Sequence, residues 1–128
     1  MDNIKDKIWL TLMNLFSNSC HQKAERSFFI NKYQFPICAR CTGLLLGYFL
    51  GVLIFIFIGE ISFIFNVIFI LIMFIDWFIQ HRGIKISNNL RRLFTGSLCG
   101  IGVIGVLVNI YFLLNKYILR YFDWGRGF

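Results

Sequence analysis

The chain has 128 residues, of which 58% are apolar, 19% aromatic and only 15% charged, with a formal net charge of +7. A soluble domain of this size carries about a quarter charged residues and fewer than half apolar ones, and so small a body leaves much of its surface exposed. These numbers exclude a water-soluble globule and leave lipid as the solvent for the surplus apolar surface. They also argue against a nucleic-acid binder, because the basic residues flank apolar runs, where topology signals and headgroup contacts belong.

Residues 1–17 place Ile4, Ile8, Trp9, Leu12, Leu15 and Phe16 three or four apart, with Lys5 and Asp6 between them. That spacing predicts an amphipathic helix lying in the membrane interface, with Trp9 at headgroup level. A lipoprotein-type signal ending at Ser17-Asn18-Ser19-Cys20 is the weaker reading. Asp2 and Asp6 spoil a basic start, Asn14 breaks the apolar run, and no aliphatic residue stands three before Cys20.

Residues 18–43 hold three of the four cysteines, one of the two histidines and the single proline. This polar stretch between apolar ones reads as a Cys/His-rich cap on a small membrane bundle. Three segments follow, 43–59, 61–80 and 92–115, each long enough to cross a hydrocarbon core of about 30 Å at about 1.5 Å per residue. Gly43, Gly47 and Gly51 recur every fourth residue in the first, and Gly96, Gly100, Gly102 and Gly105 make a second seam in the third. Such smooth faces let helices approach closely, within one chain or between copies in a homo-oligomer. Ser87 or Asn88 is the expected N-cap of the third helix. Residues 116–128 alternate aromatic and basic residues, with Tyr117, Tyr121 and Trp124 as interfacial anchors. The fold class is therefore an all-α membrane protein: one domain, 1–128, with three transmembrane helices, an N-terminal amphipathic helix, a cysteine-rich cap and an interfacial tail.

With three crossings, the N-terminal region and the loop after the second span share one side. That side holds Lys5, Lys7, Lys23, Arg26, Lys32, Arg40, Arg82, Lys85, Arg91 and Arg92, against Lys116, Arg120 and Arg126 on the other. The positive-inside rule makes the crowded, cysteine-bearing side the cytoplasmic face of the cell membrane.

Topology thus brings separate chemical signals to one membrane face. Cys38 and Cys41 form a C-x2-C pair, whose spacing lets two thiolates reach one tetrahedral ion. Cys20 lies far enough upstream to fold back as a third ligand, and His21 or His81 can complete the sphere. Sulfur-rich sites of this kind favour Zn²⁺, with iron as the alternative. The same cysteines also fit redox-active thiols or structural thiols without a ligand. Asp76 and Gln80, four apart at the end of the second span, share a helix face. An ionisable residue there is costly unless paired, so Asp76 either locks the helices through Arg40, Arg91 or Arg92 or serves as a general base, ligand or proton acceptor. Arg92, Thr95 and Cys99 share a face of the third helix. Arg92 suits an anionic headgroup, carboxylate or phosphate, or a topology-setting contact with lipid phosphates. Cys99 reads as a packing residue, Asn66 and Asn109 as interhelical hydrogen-bonding residues, and Trp9, Trp77 and Trp124 as belt residues.

The strings Cys20-His21-Gln22, Glu25-Arg26-Ser27-Phe28 and Pro36-Ile37-Cys38-Ala39-Arg40-Cys41-Thr42-Gly43 resemble a family of small bacterial and archaeal membrane proteins catalogued as a domain of unknown function. The resemblance extends to Asp76 with Gln80 and to Ser87-Asn88-Asn89-Leu90-Arg91-Arg92 followed by Thr95-Gly96, covering roughly residues 18–105. It implies a polytopic membrane protein with one shared site, and it supplies no reaction. On its motif positions fall Cys20, His21, Arg26, Cys38, Arg40, Cys41, Asp76, Gln80, Asn89 and Arg92.

The leading expectation is a membrane metalloprotein. Cys20, Cys38 and Cys41, with His21 or His81, would bind the ion, and Asp76, Gln80, Arg40 and Arg92 would line a polar pocket for a lipid-like or anionic small-molecule substrate. An ion with an open position would support catalysis, and a closed sphere would be structural. The rival classes are a thiol–disulfide oxidoreductase using Cys38 and Cys41, a metal or small-ion transporter, and an accessory membrane subunit.

Overall fold

The computed structural model describes residues 2–85 and 88–126. Its first helix, α1 (Asp2–Phe16), forms where the three- and four-residue apolar spacing calls for one. The indole Nε1 of Trp9 donates to the carbonyl of Gln34 at 2.8 Å, and its ring lies 5.9 Å from that of Tyr33. The Tyr33 hydroxyl in turn donates to Asp6 Oδ1 at 2.6 Å. Trp9, expected as a belt residue, thus pins α1 to the cap.

The cap departs from the all-α expectation. After one 3-10 turn at Ala24–Arg26, β1 (Ser27–Ile30) and β2 (Tyr33–Cys38) pair as an antiparallel hairpin. Its two turn residues, Asn31 and Lys32, take φ of 47° and 71°, the doubly left-handed turn whose twist suits paired strands. Ile30 pairs with Tyr33 and Phe29 with Gln34, and the register then slips before Ser27 meets Cys38. Pro36 falls inside the slipped stretch, where its missing N–H breaks no regular ladder.

β2 runs directly into α2 (Ala39–Phe57), followed by α3 (Phe63–His81) and α4 (Asn89–Arg126). These three helices are long and apolar enough to cross a membrane. Large apolar side chains cover their outer faces, with Phe49 66% and Ile56 65% exposed, a surface that lipid accepts and water does not.

Helix α4 is central, packing along both α2 and α3. A Cβ on Gly43 would overlap the carbonyl of Leu93, and one on Gly47 the carbonyl of Ser97, while Gly96 and Gly100 return the contact on Arg40 and Leu44. Gly102 and Gly105 instead admit Asn66 of α3. The seams considered as a route to homo-oligomers are therefore filled within the chain, because each missing Cβ is replaced by a neighbouring helix. Asn109 Nδ2 donates to the carbonyl of Ile61 at 2.9 Å, joining α4 to the segment ahead of α3. Asn66 bonds locally, its amide reaching the same carbonyl at 3.2 Å.

The last helix is longer than the 92–115 expected. It runs from Asn89 to Arg126, 38 residues or about 57 Å. No glycine or proline interrupts the chain between Val106 and Trp124, so no residue stops it. Asn109 is already level with Ile61, Phe112 still meets the Phe55 ring of α2 at 6.2 Å, and residues 116–124 beyond it are exposed. Of the two expected N-caps, Ser87 lies outside the described residues. Asn88 directly precedes the helix, its carbonyl accepting the Arg92 N–H at 3.1 Å.

Candidate metal centre and adjoining cavity

Successive crossings bring the start of α2, the end of α3 and the start of α4 together beneath the cap. Cys20 stands just past α1, its N–H donating to the carbonyl of Phe16 at 3.0 Å. Gln22, at φ 45°, then turns the chain back. Its side-chain amide donates to the carbonyls of Met13 at 2.7 Å and Pro36 at 3.0 Å, and its own carbonyl accepts Gln34 Nε2 at 2.7 Å. Those three bonds tie the Cys20 loop to α1 and β2. Cys38 occupies the N-cap of α2, and its N–H donates to the Cys20 sulfur at 3.2 Å. Cys41 follows in the first turn of that helix.

The three sulfurs consequently lie within 4.8 Å of one another, and all are free thiols. Two thiolates on one tetrahedral zinc, each about 2.3 Å from the ion, are about 3.8 Å apart, whereas a disulfide needs about 2.05 Å. Free thiols gathered within 4.8 Å are compatible with the first. Burial pushes the Cys20 thiol up, but the backbone N–H groups of Gln22 and Cys38 and the neighbouring thiols of Cys38 and Cys41 hydrogen-bond its sulfur and bring it below its ordinary value. The group can hold a metal ion as three soft ligands. Neither histidine belongs to it: His21 lines the adjoining cavity, and His81 stacks on Trp77 with ring centroids 5.2 Å apart. Cys99 is buried in α4, away from the group, as a packing residue would be.

Behind the thiols lies a polar network. Asp76, only 3% exposed, pairs with Arg91 Nε at 2.7 Å and Arg40 Nη2 at 3.5 Å. Gln80 Nε2 donates to Asp76 Oδ2 at 2.6 Å, and Gln80 Oε1 accepts Arg40 Nη2 at 3.0 Å and Arg92 Nε at 3.2 Å. Thr95 Oγ1 donates to the Arg91 carbonyl at 3.0 Å and lies 3.5 Å from Asp76 Oδ2. Arg92 Nη1 reaches Asn89 Oδ1 at 3.3 Å, and Asn89 Nδ2 donates to the Ser27 carbonyl at 3.3 Å, which links the bundle to the hairpin. Asp76 thus takes two of the three arginines considered for it, while Arg92 goes to Gln80.

Between cap and network is a cavity of about 260 Å³. The three thiols form one part of its wall, and Lys23, Arg26, Arg40 and Arg92 another. Trp77, read as a belt residue, also lines it. Asp76 and Gln80 do not line the cavity; they hold Arg40 and Arg92, which do. Sequence reasoning missed Lys23 and Trp77 as cavity residues, which the turn at Gln22 and the end of α3 bring in, and Gln34 and Ser27 as supports, because the hairpin that holds those two was not foreseen. The available signal was the aromatic and branched residues on both sides of Asn31-Lys32, hidden by the lack of a glycine in the turn.

A family model described as "Predicted membrane protein (DUF2085)" matches residues 20–106, the span from the first cap cysteine to the middle of α4. The chain is also 39% identical, over 69% of its length and 83% of the relative's, to an uncharacterised protein of Methanothermobacter thermautotrophicus. To an uncharacterised protein of Methanocaldococcus jannaschii it is 32% identical, over 82% of its length and 71% of the relative's. No solved structure matches it.

Proposed function

The chain belongs to the DUF2085 family of membrane proteins, and we propose that it is a membrane metalloprotein whose Cys20, Cys38 and Cys41 hold Zn²⁺ above a polar cavity for an anionic, lipid-like substrate. The observation that carries this reading is the convergence of three sulfurs, one from the loop after α1 and two from the start of α2, to within 4.8 Å at the wall of one cavity. Structural thiols have no need to converge, and thiols that only exchange disulfides need two partners at a time rather than three.

The three cysteines would serve as thiolate ligands, and His21, on the same cavity wall, is the candidate fourth donor. If the fourth position stays open, a bound zinc supplies Lewis-acid polarisation or an acidified water. The chain's own residues then have separable tasks. Arg40 and Arg92 attract and orient the substrate's negative group, and Asp76 and Gln80 fix those two guanidiniums in direction. The thiol face lies in the cytoplasm on this reading, which keeps the ligands reduced.

The test is elemental analysis beside free-thiol counting on detergent-purified protein, for the native chain and Cys38→Ser/Cys41→Ser. About one zinc per chain, lost in the double variant, is the expected result. No metal, with Cys38 and Cys41 cycling reversibly to a disulfide, overturns the proposal in favour of thiol–disulfide exchange. Orientation is read separately, with a reporter after Phe128 that is active only outside the cytoplasm. Silence from that reporter, with activity from a cytoplasm-active reporter at the same position, would sink the topology.

A further inference from the structure

The cavity wall carries more positive charge than the metal centre and its network can use. Lys23, Arg26, Arg40 and Arg92 all line it, and no Asp or Glu is among the described lining residues. Three thiolates on a divalent ion leave a single negative charge. Asp76 sits behind the wall, and its one charge is shared between Arg91 at 2.7 Å and Arg40 at 3.5 Å. Several cations therefore face one small space with little to balance them. Arg92 is 92% buried, since only 8% of it is exposed, and two further guanidiniums, those of Arg26 and Arg40, line the same space. Such crowding is unfavourable until an anion enters. Arg40 Nε, buried with no hydrogen-bond partner among the described residues, adds an unmet donor on a residue of the same wall.

The shape of these donors narrows the ligand. Three guanidiniums line the space from three parts of the chain: Arg26 from the loop after α1, Arg40 from the first turn of α2 and Arg92 from the first turn of α4. The last two are steadied by Gln80 through Arg40 Nη2 and Arg92 Nε. A carboxylate has two oxygens and one charge, and a single fork satisfies it. A phosphate group offers more oxygens and up to two charges, which matches several forks converging. At about 260 Å³ the cavity is just below the usual range for small-ligand pockets, about 300–1,000 Å³, so it admits a headgroup-sized anion and no polyanion chain.

We infer that the cavity walled by Lys23, Arg26, Arg40 and Arg92 is a phosphate subsite, which takes the phosphate of a lipid headgroup or a free phosphate beside the thiol centre. The inference deepens the proposed function and rests on it for the neighbouring ion, while the phosphate's own contacts are with the four cations. Two of these, Lys23 and Arg26, are exposed residues outside the buried network, so they can be changed without disturbing the bundle.

The experiment uses the full chain in detergent, with inorganic phosphate titrated by calorimetry. In parallel, native mass spectrometry follows lipid retained from vesicles of phosphatidylglycerol and phosphatidylcholine. Metal is counted on every sample. One phosphate-type ligand per chain is expected, with affinity reduced about tenfold or more in Lys23→Gln/Arg26→Gln, since each charge-assisted contact is among the stronger hydrogen bonds. Retained phosphatidylglycerol lost in that variant identifies a headgroup, and inorganic phosphate binding without lipid preference identifies a free phosphate. If the double variant aggregates, each single substitution carries the test, at about threefold per residue. Neither ligand binding, or binding unchanged in these variants, overturns the subsite. Phosphate bound without metal leaves the subsite standing and overturns the metal centre, and metal without either ligand does the reverse.

Discussion

Against α2, the central helix α4 offers the absence of side chains; against α3, it adds charge at one end to the glycines that admit Asn66 at the other. Gly43 and Gly47 bring the backbone of α2 onto Leu93 and Ser97, so that interface is dispersion between closely approached backbones. Asp76 and Gln80 of α3 meet Arg91, Arg92 and Thr95 of α4, so that interface is held at one end by a buried ion network. In lipid neither contact has a hydrophobic driving force; the first relies on close packing, and the second combines packing with polar bonds. The difference bears on function. The glycine seam fixes where α2 stands, and hence where Cys38, Arg40 and Cys41 stand, whereas the ionic side fixes how the guanidiniums point.

Substitutions on the two faces should separate these roles. Asp76→Leu leaves Arg40 and Arg91 without their carboxylate and should cost about 3 kcal/mol, near the low end for breaking a buried pair because Arg91 is partly exposed. Thermal unfolding in detergent reads it, and an unchanged midpoint would show that the network is not structural. Gly47→Val forces α2 off α4 and should cost about 2 kcal/mol, with weakened metal retention as the thiols lose their registry. Metal content unaffected by a measurable loss of stability would break the link from seam to centre. Gln80→Met removes the shared acceptor of Arg40 and Arg92 and should cost about 1.5 kcal/mol, with a larger effect on phosphate affinity than on zinc. Asn109→Leu, at the far end of the bundle, should cost only about 0.6 kcal/mol and leave both ligands bound. An effect of Asn109→Leu on either ligand would mean that the two ends are coupled.

Much of the candidate site could be read before any coordinates. The C-x2-C spacing, the four-residue step from Asp76 to Gln80 and the run Asn89-Leu90-Arg91-Arg92 each place chemistry near a helix end, and alternating crossings bring those ends together. Other features could not be read so. Arg40, Arg91 and Arg92 were interchangeable partners for Asp76 in sequence. Helix rotation decided among them, giving Asp76 to Arg40 and Arg91 and Gln80 to Arg92.

By itself the sequence determined a lipid-embedded bundle, its three crossings and the small-residue faces, because hydropathy over about twenty residues and the placement of glycine are local and periodic properties. Tertiary structure alone decided that the two seams are filled by each other and by Asn66, that α4 runs on to Arg126, and that a hairpin turning at Asn31-Lys32 forms the cap. It also decided that Cys20 meets Cys38 and Cys41, through a loop held by Gln22, and that Lys23 and Arg26 join Arg40 and Arg92 around one cavity. The physical reason is that these contacts join residues far apart in the chain, whose distances are set by loop geometry and helix rotation rather than by spacing along the sequence.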